Sequence, residues 1–341
     1  MRFLKRLIAL ALVLVIVAGA ALAGGWLWLQ NEVSQSGPLV AETSFTIESG
    51  EGLASVANRL ESVSIIHSAK VMRWKAKLDG SESDIKAGTY VILARASAAD
   101  VLTQMVNGDV VTMRLTIPEG LTTAQILKRV EAASVLSGPM PTGDLAEGVL
   151  LPDTYLFGAG TTRTQFVNRM EVAQTALLER LWPERQDGLP IMTPQDAIIL
   201  ASVVEKETGR ADERGMVAGL FVGRLLKGMR LESDPTIIYG VSKGEPLRNR
   251  AGKRRTLYRS EIDRKTDWNT YQIDGLPKTP ICNPGADAIA AVLHPDETEY
   301  VFFVADGKGG HLFAKTYREH QRNVAAYRAY ERGEIQRERG N

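Results

Sequence analysis

Thr193-Pro194-Gln195-Asp196-Ala197-Ile198-Ile199-Leu200-Ala201-Ser202-Val203-Val204-Glu205-Lys206-Glu207-Thr208-Gly209 is the stretch on which the reading of the fold turns. It opens with a hydroxyl cap, a proline in the first turn and an acid at the third position, which together write a helix start. Gly209 stops the helix. Two carboxylates therefore arrive at the C-terminal end of an otherwise very apolar helix.

Glu205 and Glu207 are two residues apart, so at roughly 100° per residue they point in nearly opposite directions. One cleft can use only one of them. On the helical wheel Glu205 lies beside Ile198, Ala201 and Ser202, whereas Glu207 lies beside Ile199, Leu200, Val203 and Val204. A carboxyl set against aliphatic side chains loses hydration and its pKa rises. The negative end of the helix dipole acts in the same direction. A carboxylic acid that keeps its proton near neutral pH is what protonation of a leaving glycosidic oxygen requires. Glu207 is thus the preferred candidate acid, with Glu205 in reserve. From residue type alone, a structural ion pair of Glu207 with Arg210 or Arg214 is the commoner outcome.

Downstream, a helix from Asp212 to about Lys227 ends at Gly228 and leads into the segment Met229 to Gly240. Trp268-Asn269-Thr270-Tyr271, Gly275-Leu276-Pro277 and Cys282-Asn283-Pro284-Gly285 follow. These turns repeatedly present hydroxyls, amides and aromatic rings, the mixture that suits a sugar-binding cleft. Singly, each is turn chemistry. Between Val241 and Asp267 the chain is unusually basic, with Arg248, Arg250, Lys253, Arg254 and Arg255 close together. The run suits peptide-stem carboxylates, although such runs are more often solvated loops. Tyr300 to Val304, the turn Asp306 to Gly310, and His311 to Ala314 predict a β-hairpin, followed by a charged helix over Tyr317 to Arg332.

Upstream lies a weak internal repeat. Thr46-Ile47-Glu48-Ser49-Gly50-Glu51-Gly52-Leu53, running on to Glu61, matches Thr116-Ile117-Pro118-Glu119-Gly120-Leu121, running on to Glu131. Each unit reads as a short strand, a glycine turn and an amphipathic helix. Lys86 to Leu93 predicts a strand between them, and Ala98 to Val106 a helix ended by Asn107-Gly108. The first unit resembles a LysM-like module, a fold often used to hold glycan chains; a small α/β spacer without ligand is the alternative. Ser137 to Gly143, rich in glycine and proline, separates this half from Glu147-Gly148-Val149-Leu150-Leu151-Pro152-Asp153-Thr154-Tyr155.

At the N-terminus, Arg2, Lys5 and Arg6 precede an almost unbroken apolar run from Leu7 to Leu29, about the length of a hydrocarbon core. Trp26 and Trp28 stand where an aromatic belt belongs, and the positive flank predicts a cytoplasmic N-terminus with the body outside. No second run of this length occurs, so one pass is expected. Ala20-Ala21-Leu22-Ala23 allows a cleaved signal peptide instead, but the apolar stretch runs past it. The domain plan expected is an anchor at 1–29, a linker at 30–43, a LysM-like subdomain at 44–110, an intermediate α/β region at 111–190 and a catalytic region at 191–335. The fold class expected is α+β.

The 341 residues are 44% apolar and 24% charged, a composition that excludes a disordered chain. A net charge of +1 gives no ground for nucleic-acid binding through a broad basic surface. The single cysteine, Cys282, forms no intramolecular disulfide, and no Cys/His cluster has zinc spacing. No metal or other cofactor is expected.

Ala201 to Thr208 (ASVVEKET), RLLKGMRLESDPTIIYG from Arg224, WNTYQIDGLPKTPICNPG from Trp268 and YVFFVADGKGGHLF from Tyr300 resemble the endolytic murein transglycosylase family (YceG-like). EGVLLPDTY from Glu147 is similar to that family's acidic Pro-Asp-Thr segment. The resemblance runs from about Phe45 to Tyr327, together with the anchor. It implies an α+β catalytic domain preceded by a LysM-like subdomain. The reaction implied is non-hydrolytic cleavage between N-acetylmuramic acid and N-acetylglucosamine, leaving 1,6-anhydromuramoyl ends, with one carboxyl serving as acid and then base. The catalytic glutamate of the EKET motif is carried to Glu207. Asp153, Tyr155, Ser233, Asp234, Thr236, Tyr239, Asn269, Thr270, Tyr271 and His311 become candidate substrate contacts. Trp268 stands where the family commonly has tyrosine, so ring stacking survives there and a tyrosine hydroxyl does not. The implied setting is the bacterial inner membrane, with the catalytic part periplasmic, glycan strands as substrate and peptidoglycan synthases as partners. Two alternatives remain: a muramidase-type hydrolase with Asp234 or Asp153 as base, and a non-catalytic glycan-binding scaffold.

Overall fold

The computed structural model describes residues 2–340. The fold is α+β, and its backbone contacts divide it into two units. The first takes in residues up to Met113 and Leu156–Thr161; the second takes in Arg114–Tyr155 and everything from Thr162 onward.

The first unit begins with helix α1 (Arg2–Ser34). Residues Leu12–Ser34 are long and apolar enough to cross a membrane, with a mean hydropathy of 2.2. The helix does not stop where the apolar run ends. It continues through Ser34 into the segment expected to be a linker, because Leu29 and Val33, one turn apart, are buried. Strand β1 (Thr43–Ile47), helices α2 (Leu53–Ser62) and α3 (Ala69–Asp79), strand β2 (Gly88–Ile92) and helix α4 (Ala98–Asn107) complete the element set. β1 and β2 pair antiparallel, Phe45 opposite Tyr90. Leu53, Val56, Ala57 and Leu60 of α2 fall at the spacing of one helical face and are buried against Met72, Tyr90, Val101 and Met105. The end of α1 packs on α3 and α4. Gly108, left-handed at φ 78°, closes α4.

The chain passes between the units within strand β3 (Thr112–Thr116) and again within strand β4 (Thr154–Gly158), and these two strands pair. β4 begins at the end of the quoted Glu147–Tyr155 segment, where no strand is expected from sequence. In the structure Tyr155 and Phe157 are buried and Thr154 and Leu156 exposed, the alternation of a strand with one face inward. Helix α5 (Thr123–Ala132) lies between them, and α6 (Arg163–Leu181) follows.

The second unit is built around helix α7 (Pro194–Glu207). The Thr193 hydroxyl accepts from the Asp196 amide at 3.1 Å, and the Asp196 carboxylate accepts from the Thr193 amide at 2.9 Å, completing the capping box. Every residue from Ala197 to Val204 is buried, as in a helix wrapped on all sides. Its neighbours are α8 (Ala211–Leu226), α9 (Asp234–Ser242) and, beyond the short α10 (Arg259–Ile262), α11 (Ala286–Leu293). Strands β5 (Phe302–Ala305) and β6 (His311–Ala314) pair antiparallel, and α12 (Tyr317–Gly340) packs on them. The Asp306 carboxylate accepts from the Lys308 and Gly310 amides and shapes the turn between these strands.

Candidate functional site

The last turn of α7 sends its two carboxylates to different elements, as their spacing requires. Glu205 accepts from the Gly285 amide at 3.1 Å, at the N-terminus of α11. That is a favourable place for negative charge. Glu119 and Arg214 lie on the same side. Burial raises the Glu205 pKa and Glu119 raises it further, while Gly285 and Arg214 oppose the shift. Gly285 lies close against the Glu119 side chain: a Cβ there would come within 1.8 Å of the carboxylate, which would have to move aside.

Glu207 faces the start of α9. It is half-buried, yet so surrounded by protein that desolvation pushes its pKa up to about 7. The Ser233 hydroxyl and Arg224 favour the charged form; the neighbouring charge of Asp234 opposes it. The contact to Ser233 is looser than a regular hydrogen bond, since the fully buried Ser233 hydroxyl has no partner of regular geometry. Among the described residues Glu207 enters no ion pair. Arg210 is taken by Asp212 and Glu213, and Arg214 by Asp287 and Glu119.

The turn that brings Ser233 and Asp234 to Glu207 is held from inside. The buried Arg224 donates through Nε to the Val301 carbonyl at 2.6 Å and through Nη1 to the Leu231 carbonyl at 2.8 Å. Nη1 also reaches the Arg230 carbonyl at 3.1 Å and the Glu232 carboxylate at 3.3 Å. Glu232 sits in the left-handed region, φ 51°, at a cost of roughly 1–2 kcal/mol for a residue with a side chain. That strain lies immediately before Ser233, where the surrounding bonds over-determine the backbone. The Ser233 amide donates to the Thr270 hydroxyl at 3.0 Å, the Thr236 hydroxyl donates to the Ser233 carbonyl at 2.6 Å, and the two threonine hydroxyls lie 2.9 Å apart. The Tyr271 hydroxyl donates to Asp234 at 2.9 Å. Asn269 supports the turn from behind, its side-chain amide donating to the carbonyls of Ile262 and Arg264 and its oxygen accepting from the Tyr271 amide.

Seven of the candidate positions therefore come together: Glu207, Ser233, Asp234, Thr236, Asn269, Thr270 and Tyr271. Tyr239 stands in an adjoining cluster, edge-on to Trp268, with the Lys243 ammonium 3.3 Å from the Trp268 ring centroid. Burial, then the nearby Glu147, pushes the Tyr239 hydroxyl up to about 12. Tyr155 has no such company. It is a core residue whose hydroxyl donates to the Leu151 carbonyl at 2.7 Å and whose ring meets Phe166 edge-on. Asp153 is exposed beside it and accepts from the Thr154 amide. His311 lies on β6, its Nδ1 2.8 Å from the Glu213 carboxylate.

Four participants lie inside segments quoted from the sequence but are not singled out as site residues there. Arg224 is one. Glu147, half-buried with its pKa raised by burial, accepts from the Thr123 amide at 2.9 Å. Asn283 ties three segments together, donating to the Leu121 carbonyl and the Thr123 hydroxyl and accepting from the Leu150 amide. Lys206 donates to the Gly120 carbonyl at 3.2 Å. An arginine after Gly223 or an asparagine before a proline reads as ordinary helix or turn composition, so the individual role of each comes from the fold. Among the described residues no three His, Cys, Asp or Glu side chains form a metal-ligating group.

The chain is 28% identical over 316 residues to the endolytic murein transglycosylase of Bacillus subtilis, covering 83% of this chain and 84% of that protein. It is 25% identical over 351 residues to the endolytic murein transglycosylase of Streptococcus pneumoniae, covering 89% of this chain and 62% of that protein. A crystal structure of a yceG-like protein from Listeria monocytogenes aligns with a TM-score of 0.48 and 24% identity, over 82% of this chain and 98% of that one. The model of the YceG-like family matches residues 45–326, and the chain belongs to that family.

Proposed function

We propose that the chain is an endolytic lytic transglycosylase of peptidoglycan, with Glu207 as its acid and base. The observation that carries this reading is the state of Glu207: a carboxyl with a pKa near 7, half-buried, with neither neighbouring arginine bound to it. The names of the relatives support the substrate class.

The reaction follows from one carboxyl used twice. Protonated Glu207 gives its proton to the glycosidic oxygen between N-acetylmuramic acid and N-acetylglucosamine, and the bond from that oxygen to the muramoyl C1 breaks. The muramoyl C6 hydroxyl oxygen then bonds to C1. Its proton passes to the Glu207 carboxylate, which restores the acid. Water takes no part, and the new end is a 1,6-anhydromuramoyl residue. Burial, and then the neighbouring Asp234, raises the Glu207 pKa, and Asp234, held by Tyr271, is placed to favour the developing oxocarbenium ion.

Arg2, Lys5 and Arg6 before the apolar helix support a cytoplasmic N-terminus, with both units on the periplasmic side of the inner membrane. There the enzyme acts on nascent strands beside the synthases that make them, and terminates their elongation. The first unit, in this reading, is the LysM-like module that holds glycan.

Purified glycan strands test the assignment. The wild-type chain is expected to release fragments with anhydro ends, and Glu207→Gln to lower the rate by about 10³-fold or more. Wild-type release by the variant removes Glu207 from the chemistry. Reducing ends in place of anhydro ends would make the enzyme a hydrolase with Asp234 as the base.

A further inference from the structure

We propose that the groove beside Asp234 is a subsite for the peptide stem carried by the muramoyl residue, with Arg254 as the group that recognises a stem carboxylate. This rests on the peptidoglycan reading above. The groove has a volume of about 500 Å³, and its walls include Lys206, Asp234, Tyr239, Leu247, Arg254 and Leu257. Lys206 is the residue next to Glu207, and Asp234 is the charge that acts on Glu207, so the groove adjoins the proposed reaction centre.

Charge and rigidity both point to an anionic, partly apolar ligand. The stretch Arg248–Arg255 carries five cationic side chains and no acid. Arg255 alone is neutralised among the described residues, forming two 2.7 Å bonds to Glu261, whose pKa falls to about 2. Arg254 has no ion-pair partner among them. A solvated basic arm would be loose, but this one is closed on itself. The Asn249 amide donates to the Lys253 carbonyl at 2.8 Å, the Asn249 side chain accepts from the amides of Ala251 and Lys253, and the Arg255 amide donates to the Leu247 carbonyl. Arg254 is therefore presented on a braced turn, in a groove whose lining also includes the apolar Leu247 and Leu257.

A peptide stem has the matching chemistry. It branches from the muramoyl residue, bears carboxylates and carries small alkyl side chains. A muramoyl residue placed for cleavage must send its stem out of the site nearby. A guanidinium pairs with a carboxylate through two parallel bonds, and an ammonium does so less specifically.

The test uses the full chain in detergent with two substrates: strands with stems intact, and strands stripped of stems by an amidase. The ratio of kcat/KM for stem-bearing over stripped strands is expected to exceed one for the wild type and to fall about five- to tenfold in Arg254→Glu, through KM. Arg254→Lys should recover part of it. An unchanged ratio in Arg254→Glu, with both strands still cut, overturns the subsite and leaves the enzyme assignment intact. A wild-type chain that cuts neither substrate overturns the enzyme assignment and the subsite together.

Discussion

Tyr271 donates its hydroxyl to Asp234 at 2.9 Å, and that bond fixes the one acidic side chain whose charge raises the Glu207 pKa. Burial, then Asp234, raises the tyrosine's own pKa, so at neutral pH it is a donor. Tyr271→Phe removes the donor and leaves Asp234 free to turn into solvent. Strand cleavage is expected to slow about tenfold with a loss of roughly 1 kcal/mol in stability. A wild-type rate in the phenylalanine variant would show that Asp234 needs no fixing.

Glu207 also makes stability depend on pH. Its folded pKa, about 7, lies above its unfolded value, so the folded state binds the proton more tightly. The contribution is fully present below the unfolded carboxyl pKa and is lost as pH rises through 7. It amounts to about 3 kcal/mol. In Glu207→Gln this loss disappears. Urea unfolding at pH 5 and pH 8 should therefore show the variant gaining on the wild type at the higher pH; a constant difference would mean an ordinary carboxyl pKa. Cleavage, which needs the protonated form, should decline over the same upper range.

Glu205 has a different task, and its substitution separates the two glutamates. Glu205→Gln keeps an oxygen for the Gly285 amide and should retain cleavage within a few fold. Glu205→Ala strips the N-terminus of α11 of its acceptor and should cost about 1 kcal/mol in thermal unfolding. If Glu205→Gln abolished cleavage while Glu207→Gln did not, the roles given to the two residues would be exchanged.

Arg224 carries the largest structural penalty. Arg224→Met leaves the carbonyls of Val301, Leu231 and Arg230 without their donor and should destabilise the chain by about 3 kcal/mol. Arg224→Lys should fare little better, since one ammonium does not span the carbonyls that the guanidinium fork reaches. Both variants should lose cleavage through Ser233 and Asp234. A fully active, normally stable lysine variant would mean that the turn holds itself.

Helix α7 was legible in the sequence because its signals are local: Thr193, Pro194 and Asp196 start it, and the apolar residues from Ala197 onward need burial wherever they fall. The opposed directions of Glu205 and Glu207 follow from helical geometry in the same way. Strand β4 was not legible. Its pairing with β3 joins segments about as far apart as Thr116 and Thr154, whose hydroxyls meet at 3.0 Å, and no local pattern encodes that distance. The clamp by Arg224 and the burial of Glu147 depend on the same kind of remote contact. Tyr155, a candidate substrate contact by the family resemblance, turns inward because strand alternation places it on the buried face.

Leu29 and Val33 turn the base of α1 into a keyed shaft. Because the helix enters the first unit's core without a break, that unit has no swivel on its stem. A tilt or rotation of α1 would therefore act on α3 and α4, the helices its end packs against. For a span in lipid, that continuity would make the bilayer the mechanical reference for the first unit.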